Sequence, residues 1–267
     1  MSQLPARRWQ DMTTVDFAAA EVPRWIAVLP VAAIEQHGPH LPVYTDTCIA
    51  EGMIARAIEL LPEDLPVTFL PVQAIGKSNE HISSPGTLTS TWETTTRLWL
   101  DIGDSVHRAG VEKLIIINSH GGNVPMVDIV TRELRVRYDM LAVGTAWSRF
   151  GHPEGLPTGD EGLYGIHGGE IETSIMLHFR PDLVRMEHAA DFRSSQLGFI
   201  EEFAHLRAHG PAQFGWKAQD LNPAGTVGKA SLATADKGRA VVDHQAAAFV
   251  ALCKDVHAFD TARLWRS

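Results

Sequence analysis

The chain has 267 residues, 45% of them hydrophobic and 21% charged, and a formal net charge of −9. That balance supports a sizeable buried core and excludes disorder as the default state. No Lys/Arg run is present, so the electrostatic footprint of a nucleic-acid binder is missing.

Two cysteines, Cys48 and Cys253, stand outside any Cys-x-x-Cys pair, which argues against a disulfide framework or a thiolate zinc site. Residues 1–8 lack an apolar signal core, and no run reaches the roughly eighteen apolar residues of a membrane span. A cytoplasmic protein, neither exported nor membrane-bound, is the expectation.

In chain order, 25–31 reads as a buried central strand. Ile49, Met53, Ile54, Ala57, Ile58 and Leu61 share one helical face over 47–61, and Pro62 stops that helix. A second strand is predicted over 67–72. The Gly/Ser/Pro/Thr-rich stretch 73–89 is a long loop, and loops of that length in compact domains tend to be functional. Ser90 followed by Glu93 has the form of a capping box, with Ser90 as N-cap of a helix running to about 109 and Gly110 as its C′ residue.

The run 113–118 is the clearest buried strand. A helix over 124–136, a strand over 140–145 and a helix in the later part of 167–179, ended by Pro181, follow. Residues 181–230 are the least periodic. A long Ala-rich helix covers 235–259. The alternation of strand and helix predicts one α/β domain over 1–267, with a mostly parallel sheet between two helical layers. In such sheets ligands bind beyond the carboxyl ends of the strands.

Three segments carry residues suited to chemistry at that edge. Glu35, His37 and Asp46 follow the first strand, with Gly38-Pro39 bending the chain between them. Glu35 and His37 are two residues apart, so an extended backbone points both the same way. The second segment, Asn118-Ser119-His120-Gly121-Gly122-Asn123, ends the strongest strand. The third is Ile166-His167-Gly168-Gly169-Glu170-Ile171-Glu172. Taken singly, Asp46 reads as an N-cap, 121–122 as a glycine turn, and Glu170 and Glu172 as acids that favour a helix start. Together they supply carboxylate and imidazole ligands without thiolate, a set that suits Zn²⁺, Mn²⁺ or Fe²⁺. Five such ligands, one able to bridge, predict two ions. Ser78, Asn79, Glu80 and His81 on the long loop are candidates for substrate contacts.

Rival motifs fail on spacing. Gly76-Lys77-Ser78 resembles the end of a P-loop, but Pro71 stands where its first glycine belongs. Ser119 beside His120 lacks the Gly-x-Ser-x-Gly elbow. Cys48 fits a small buried helix residue better than a nucleophile.

The three segments together resemble the creatininase family of metal-dependent amidohydrolases, over roughly residues 20 to 240. The resemblance implies a creatininase-like fold, metal ligation by Glu35, His37, Asp46 and His120 with Asp46 bridging, and a homohexamer acting on a small molecule. It makes His167 the catalytic histidine and Glu172 a retained acid, either of which could protonate the departing nitrogen. Enzymes that open creatinine carry a ligand Glu two residues after the strand-end His; Gly122 stands there in this chain, so Glu170 is expected to supply the missing ligand. Trp147 matches an active-site tryptophan of those enzymes. The Gly-Gly-Asn and Glu-x-Glu pattern resembles the wider family, which includes a deformylase and a peptidase, rather than creatininase proper. The implied reaction is hydrolysis of a cyclic amide or formamide by metal-activated water. Action on a peptide or a keto-sugar ring, or a non-catalytic ligand-binding role, are the alternatives.

Overall fold

Two six-residue apolar runs, Ile26–Val31 and Lys113–Asn118, are buried along their whole length and lie side by side. Strands covered on both faces read as continuous apolar runs, which is how parallel strands under helices are built. The computed structural model describes residues 4–19 and 21–265. Its elements are α1 (Thr14–Ala19), β1 (Ile26–Val31), α2 (Thr45–Leu60), β2 (Val67–Phe69), α3 (Trp92–Arg108), β3 (Lys113–Asn118), α4 (Val124–Tyr138) and β4 (Leu141–Ala146). After these come α5 (Glu170–Phe179), β5 (Asp191–Phe192), α6 (Gln196–Glu202), α7 (Ala218–Leu221), β6 (Gly228–Lys229) and α8 (Ala235–Ala258).

The main sheet is four-stranded and wholly parallel, in the order β2-β1-β3-β4. Alternation along each strand divides its side chains between two cores. Ile26, Val28, Ile115 and Ile117 pack with Met53 and Ile54 of α2, Met176 of α5 and Phe249 of α8. Ala27, Leu29, Leu114 and Ile116 pack with Trp99 of α3 and Val130 and Leu134 of α4. The result is an α/β/α arrangement. Each fully buried Leu or Ile in it contributes roughly 1.5–3 kcal/mol relative to exposure.

Two local features depart from expectation. The N-cap of α3 is Thr91, whose hydroxyl accepts from the Thr94 amide at 3.3 Å. Ser90, one residue earlier, instead bonds the Thr95 hydroxyl at 2.6 Å. The aperiodic stretch 181–230 contains a small antiparallel pair, β5–β6, with short helices α6 and α7. As expected, Gly110 follows α3 with φ of 92°. Among the described residues, no helix is long and apolar enough to cross a membrane.

The register decides where chemistry can occur. Val31 pairs with Asn118, so β1 and β3 end at the same level. The segments that continue from both strands therefore emerge together at the carboxyl edge.

Candidate metal centre

Beyond β1 the chain stays buried through Ala32 and Ala33 and delivers Glu35 and His37 into the interior. Gly38, at φ of 71°, turns the chain back. Asp46 lies in the first turn of α2, 1% exposed, and is not its N-cap. Beyond β3, the Asn118 side chain accepts from the His120 amide at 3.0 Å and donates to its carbonyl at 2.6 Å. Asn123 donates to Asn118 Oδ1 at 3.2 Å and to the Ala32 carbonyl at 3.0 Å. The two asparagines thus fasten the exits of β1 and β3 to one another.

These supports converge the expected side chains. His120 Nδ1 lies 3.1 Å from Glu35 Oε1 and 3.3 Å from Asp46 Oδ2. His37 Nε2 lies 3.3 Å from Asp46 Oδ1 and 3.9 Å from Glu172 Oε2. The two oxygens of Asp46 therefore face two different imidazoles, an arrangement that would let it serve two ions. Two donor groups result, Glu35/Asp46/His120 and His37/Asp46/Glu172, and Asp46 belongs to both. Glu35, His37 and His167 form a third overlapping group.

Both carboxylate oxygens of Glu35, together with Asp46 Oδ2 and His37 Nε2, are buried without any hydrogen-bond partner. Buried carboxylates without hydrogen bonds are costly, and the cost is offset either by protonated His37 and His120 beside them or by a cation that would take those protons' place. The all-oxygen-and-nitrogen donor set fits a divalent ion of the Zn²⁺, Mn²⁺ or Fe²⁺ type.

The electrostatics are those of a cage with its charges crowded together. Burial lowers the His37 pKa, but Asp46, Glu172 and Glu35 override it and raise the group to about 10. His120 is likewise raised well above the usual range, because Glu35 and Asp46 outweigh its burial. Burial raises Asp46, yet His37 and His120 hold it well below the ordinary carboxylate value. Glu172 is pushed up to about 7, mainly by burial and by Asp46. His167 is driven well below the usual imidazole value by burial and then by His37 and His81.

A family model described as creatinine amidohydrolase matches residues 10–253. The chain belongs to the creatininase family. Within it, a mycofactocin precursor peptide peptidase of Mycobacterium ulcerans (strain Agy99) is 32% identical over 224 residues, covering 81% of this chain and 80% of the relative. A creatinine amidohydrolase of Pseudomonas putida is 28% identical, covering 82% and 84%. A crystal structure of a creatinine amidohydrolase-type protein from Bacteroides fragilis superimposes with a TM-score of 0.75 at 26% identity, covering 90% and 92%.

The ligand expected of Glu170 in this creatininase-family chain is not where the sequence put it. Glu170 is fully buried, but its carboxylate accepts from the Thr158 amide and hydroxyl, both at 2.6 Å, and pairs with Lys237 Nζ at 2.5 Å. On an α-helix, residues two apart point about 200° apart. Glu172 is the acid that faces His37 and Asp46, and Glu170 faces the opposite way. Trp147 is also displaced from its expected role. It is 3% exposed and packs on Phe249 at a centroid distance of 5.1 Å in the helix-covered core.

A cleft of about 500 Å³ opens over the site, and Glu35, His120, His167, Glu80 and His81 reach it. Ser78 does not line it. Its hydroxyl lies behind His120, 3.3 Å from Nε2, and Asn79 is exposed. Glu80 pairs with Lys77 at 2.8 Å and lies 3.6 Å from His120 Nε2. The far wall comes from the aperiodic stretch and was not anticipated: His209, Phe214 and Trp216. Gln36 was also missed, though it sits inside the Glu-x-His motif. Its amide nitrogen lies 2.7 Å from His81 Nδ1 and 3.2 Å from His167 Nε2. A larger cleft of about 810 Å³ lies by Glu63, Lys113 and His257, at the opposite strand ends, and contains none of the clustered site residues.

Proposed function

We propose that this creatininase-family hydrolase cleaves an amide-type C–N bond of a small molecule, with a pair of divalent ions held by Glu35, Asp46 and His120 on one side and by His37, Asp46 and Glu172 on the other. The observation that supports this most is the sharing of Asp46 between two donor groups in which both Glu35 oxygens, Asp46 Oδ2 and His37 Nε2 are buried without hydrogen-bond partners. When bound, such a pair supplies a water of lowered pKa and polarises the carbonyl.

His167 is suited to carry the proton. One ring nitrogen, Nε2, lies 2.8 Å from the Gln36 carbonyl and donates to it. That leaves Nδ1 free to accept, 3.6 Å from Glu35 Oε1, on a ring that lines the cleft. Its depressed pKa keeps the resting ring neutral and makes its protonated form a strong acid, suited to pass a proton on to the departing nitrogen. The Gln36 carbonyl and the neighbouring rings of His37 and His81, at centroid distances of 4.2 and 4.3 Å, hold its orientation.

A cyclic amide or a formamide satisfies this chemistry. A peptide is the second reading, supported by the peptidase activity of the 32% identical relative and by a cleft as roomy as those that take drug-sized ligands. The test strips the protein with chelator, reloads it with Zn²⁺, Mn²⁺ or Fe²⁺ singly, and follows cleavage of creatinine, formamides, lactams and short peptides by chromatography. At least one metal should restore turnover on one class. A protein that purifies without metal and stays inert after every reload refutes the proposal.

A further inference from the structure

Glu161 is buried to 1% exposure in a short turn ahead of the His167 segment, and the chemistry above does not use it. Among the described residues it makes no ion pair, and its partners are backbone amides. Oε1 accepts from the Glu170 N–H at 2.8 Å, and Oε2 accepts from the Lys229 N–H at 2.7 Å. Three glycines make room for it. A Cβ on Gly165 or Gly169 would come within 2.2 Å of its carboxylate, and one on Gly228 within 2.6 Å. A desolvated carboxylate without a counter-ion is an expensive way to fill space.

What those two hydrogen bonds join is informative. Glu170 opens α5, whose N-cap, Gly169, has no side chain to cap it. Glu161 caps that helix from outside, two residues before Glu172. Lys229 belongs to β6, and the residues just before it hold His167. The Val227 amide donates to the His167 carbonyl at 2.8 Å, and the Thr226 hydroxyl donates to the same carbonyl at 2.6 Å. One carboxylate therefore ties together the two segments that carry Glu172 and hold His167. Glu35 and His120, by contrast, hang from β1 and β3 and owe nothing to this tie.

We propose that Glu161 is a positioning residue that sets the first turn of α5, and so holds Glu172 against His37 and Asp46, by bridging the Glu170 and Lys229 amides. The inference rests on the metal-hydrolase reading, and it makes the two metal positions separable. Glu161→Gln keeps the shape but turns an N–H₂ group toward one of the two amides, donor against donor.

The experiment titrates chelator-stripped protein with Zn²⁺ against a chromophoric competitor, with Glu172→Gln as the reference that marks which binding step uses α5. In Glu161→Gln that same step weakens roughly 10–100-fold, as when a ligand's outer support is lost, while the other step stays within about threefold. Glu161→Asp, which retracts the charge by one methylene, is read in the same way if the Gln variant does not fold. Equal weakening of both steps, or of neither, overturns the proposal as a general packing effect or no effect. A wild-type protein with no Zn²⁺ step overturns the metal-hydrolase reading and this inference with it.

Discussion

Metal loading should expel protons, and the structure sets how many. In the metal-free protein His37 titrates at about 10 and His120 well above its ordinary range, because the carboxylates around them prefer imidazolium neighbours. Both rings therefore carry a proton at pH 7, and both must lose it to coordinate. Glu172, at about 7, loses about half a proton more. Loading both positions at pH 7 should thus release somewhat more than two protons per chain. The proton on His37, about three pH units below its titration point, opposes binding by about 4 kcal/mol. Affinity should rise with pH above neutrality and toward the His37 value of about 10.

The sign for stability runs the other way. A raised folded-state imidazole pKa stabilises the metal-free fold fully below about 6.5, and that contribution disappears as pH climbs through about 10. The Tm of stripped protein should fall over that window while the gain in Tm from metal grows. Calorimetric titration in buffers of different ionisation enthalpy counts the protons. A release near zero, with affinity flat in pH, would show that the buried imidazoles are not the ligands.

Other outcomes follow from single contacts. His167→Ala should lower kcat by about 10²–10⁴-fold with metal content by elemental analysis unchanged, and near-normal turnover would remove it from the mechanism. At Gly122 a Cβ would meet Glu80 Oε1 at 2.2 Å and His120 Nε2 at 2.4 Å. Gly122→Glu should therefore destabilise the fold by about 1–3 kcal/mol in a denaturant titration and should not open creatinine; a stable, creatinine-cleaving variant contradicts this. Burial pushes the Cys48 thiol up to about 11 and Cys253 to about 12. Neither should react with a thiol-specific chromogen at pH 8 until the protein is unfolded, when both should, and labelling of the native chain would contradict their packing.

The creatininase resemblance was legible because its candidate ligands are local to strand ends. Glu35-x-His37 follows one buried apolar run and His120 another, and periodicity reveals such runs directly. The parallel α/β order came from the same signal. Cap placement was off by one residue at Ser90 and Thr91, since either hydroxyl can serve and only the path of the chain chooses.

Which acid of Glu170 and Glu172 reaches the cage is a different kind of question. Both sit in one helical turn with the same chemistry and the same preference for a helix N-terminus. The rotation of α5 about its axis, set by the Lys237 and Thr158 contacts of one and the His37 side of the other, assigned them. Trp147 was misplaced for a similar reason: an aromatic ring serves a cleft or a core equally well, and packing on Phe249 decided. The wall of His209, Phe214 and Trp216 had no periodic signal at all, because loops are held by particular hydrogen bonds, such as the Trp216 indole to the Ala208 carbonyl at 2.8 Å. The sequence by itself determined which residue types gather at the carboxyl edge of a parallel sheet. The tertiary structure alone decided which of them face one another, because facing depends on helix rotation and loop closure, which burial patterns along a chain do not encode.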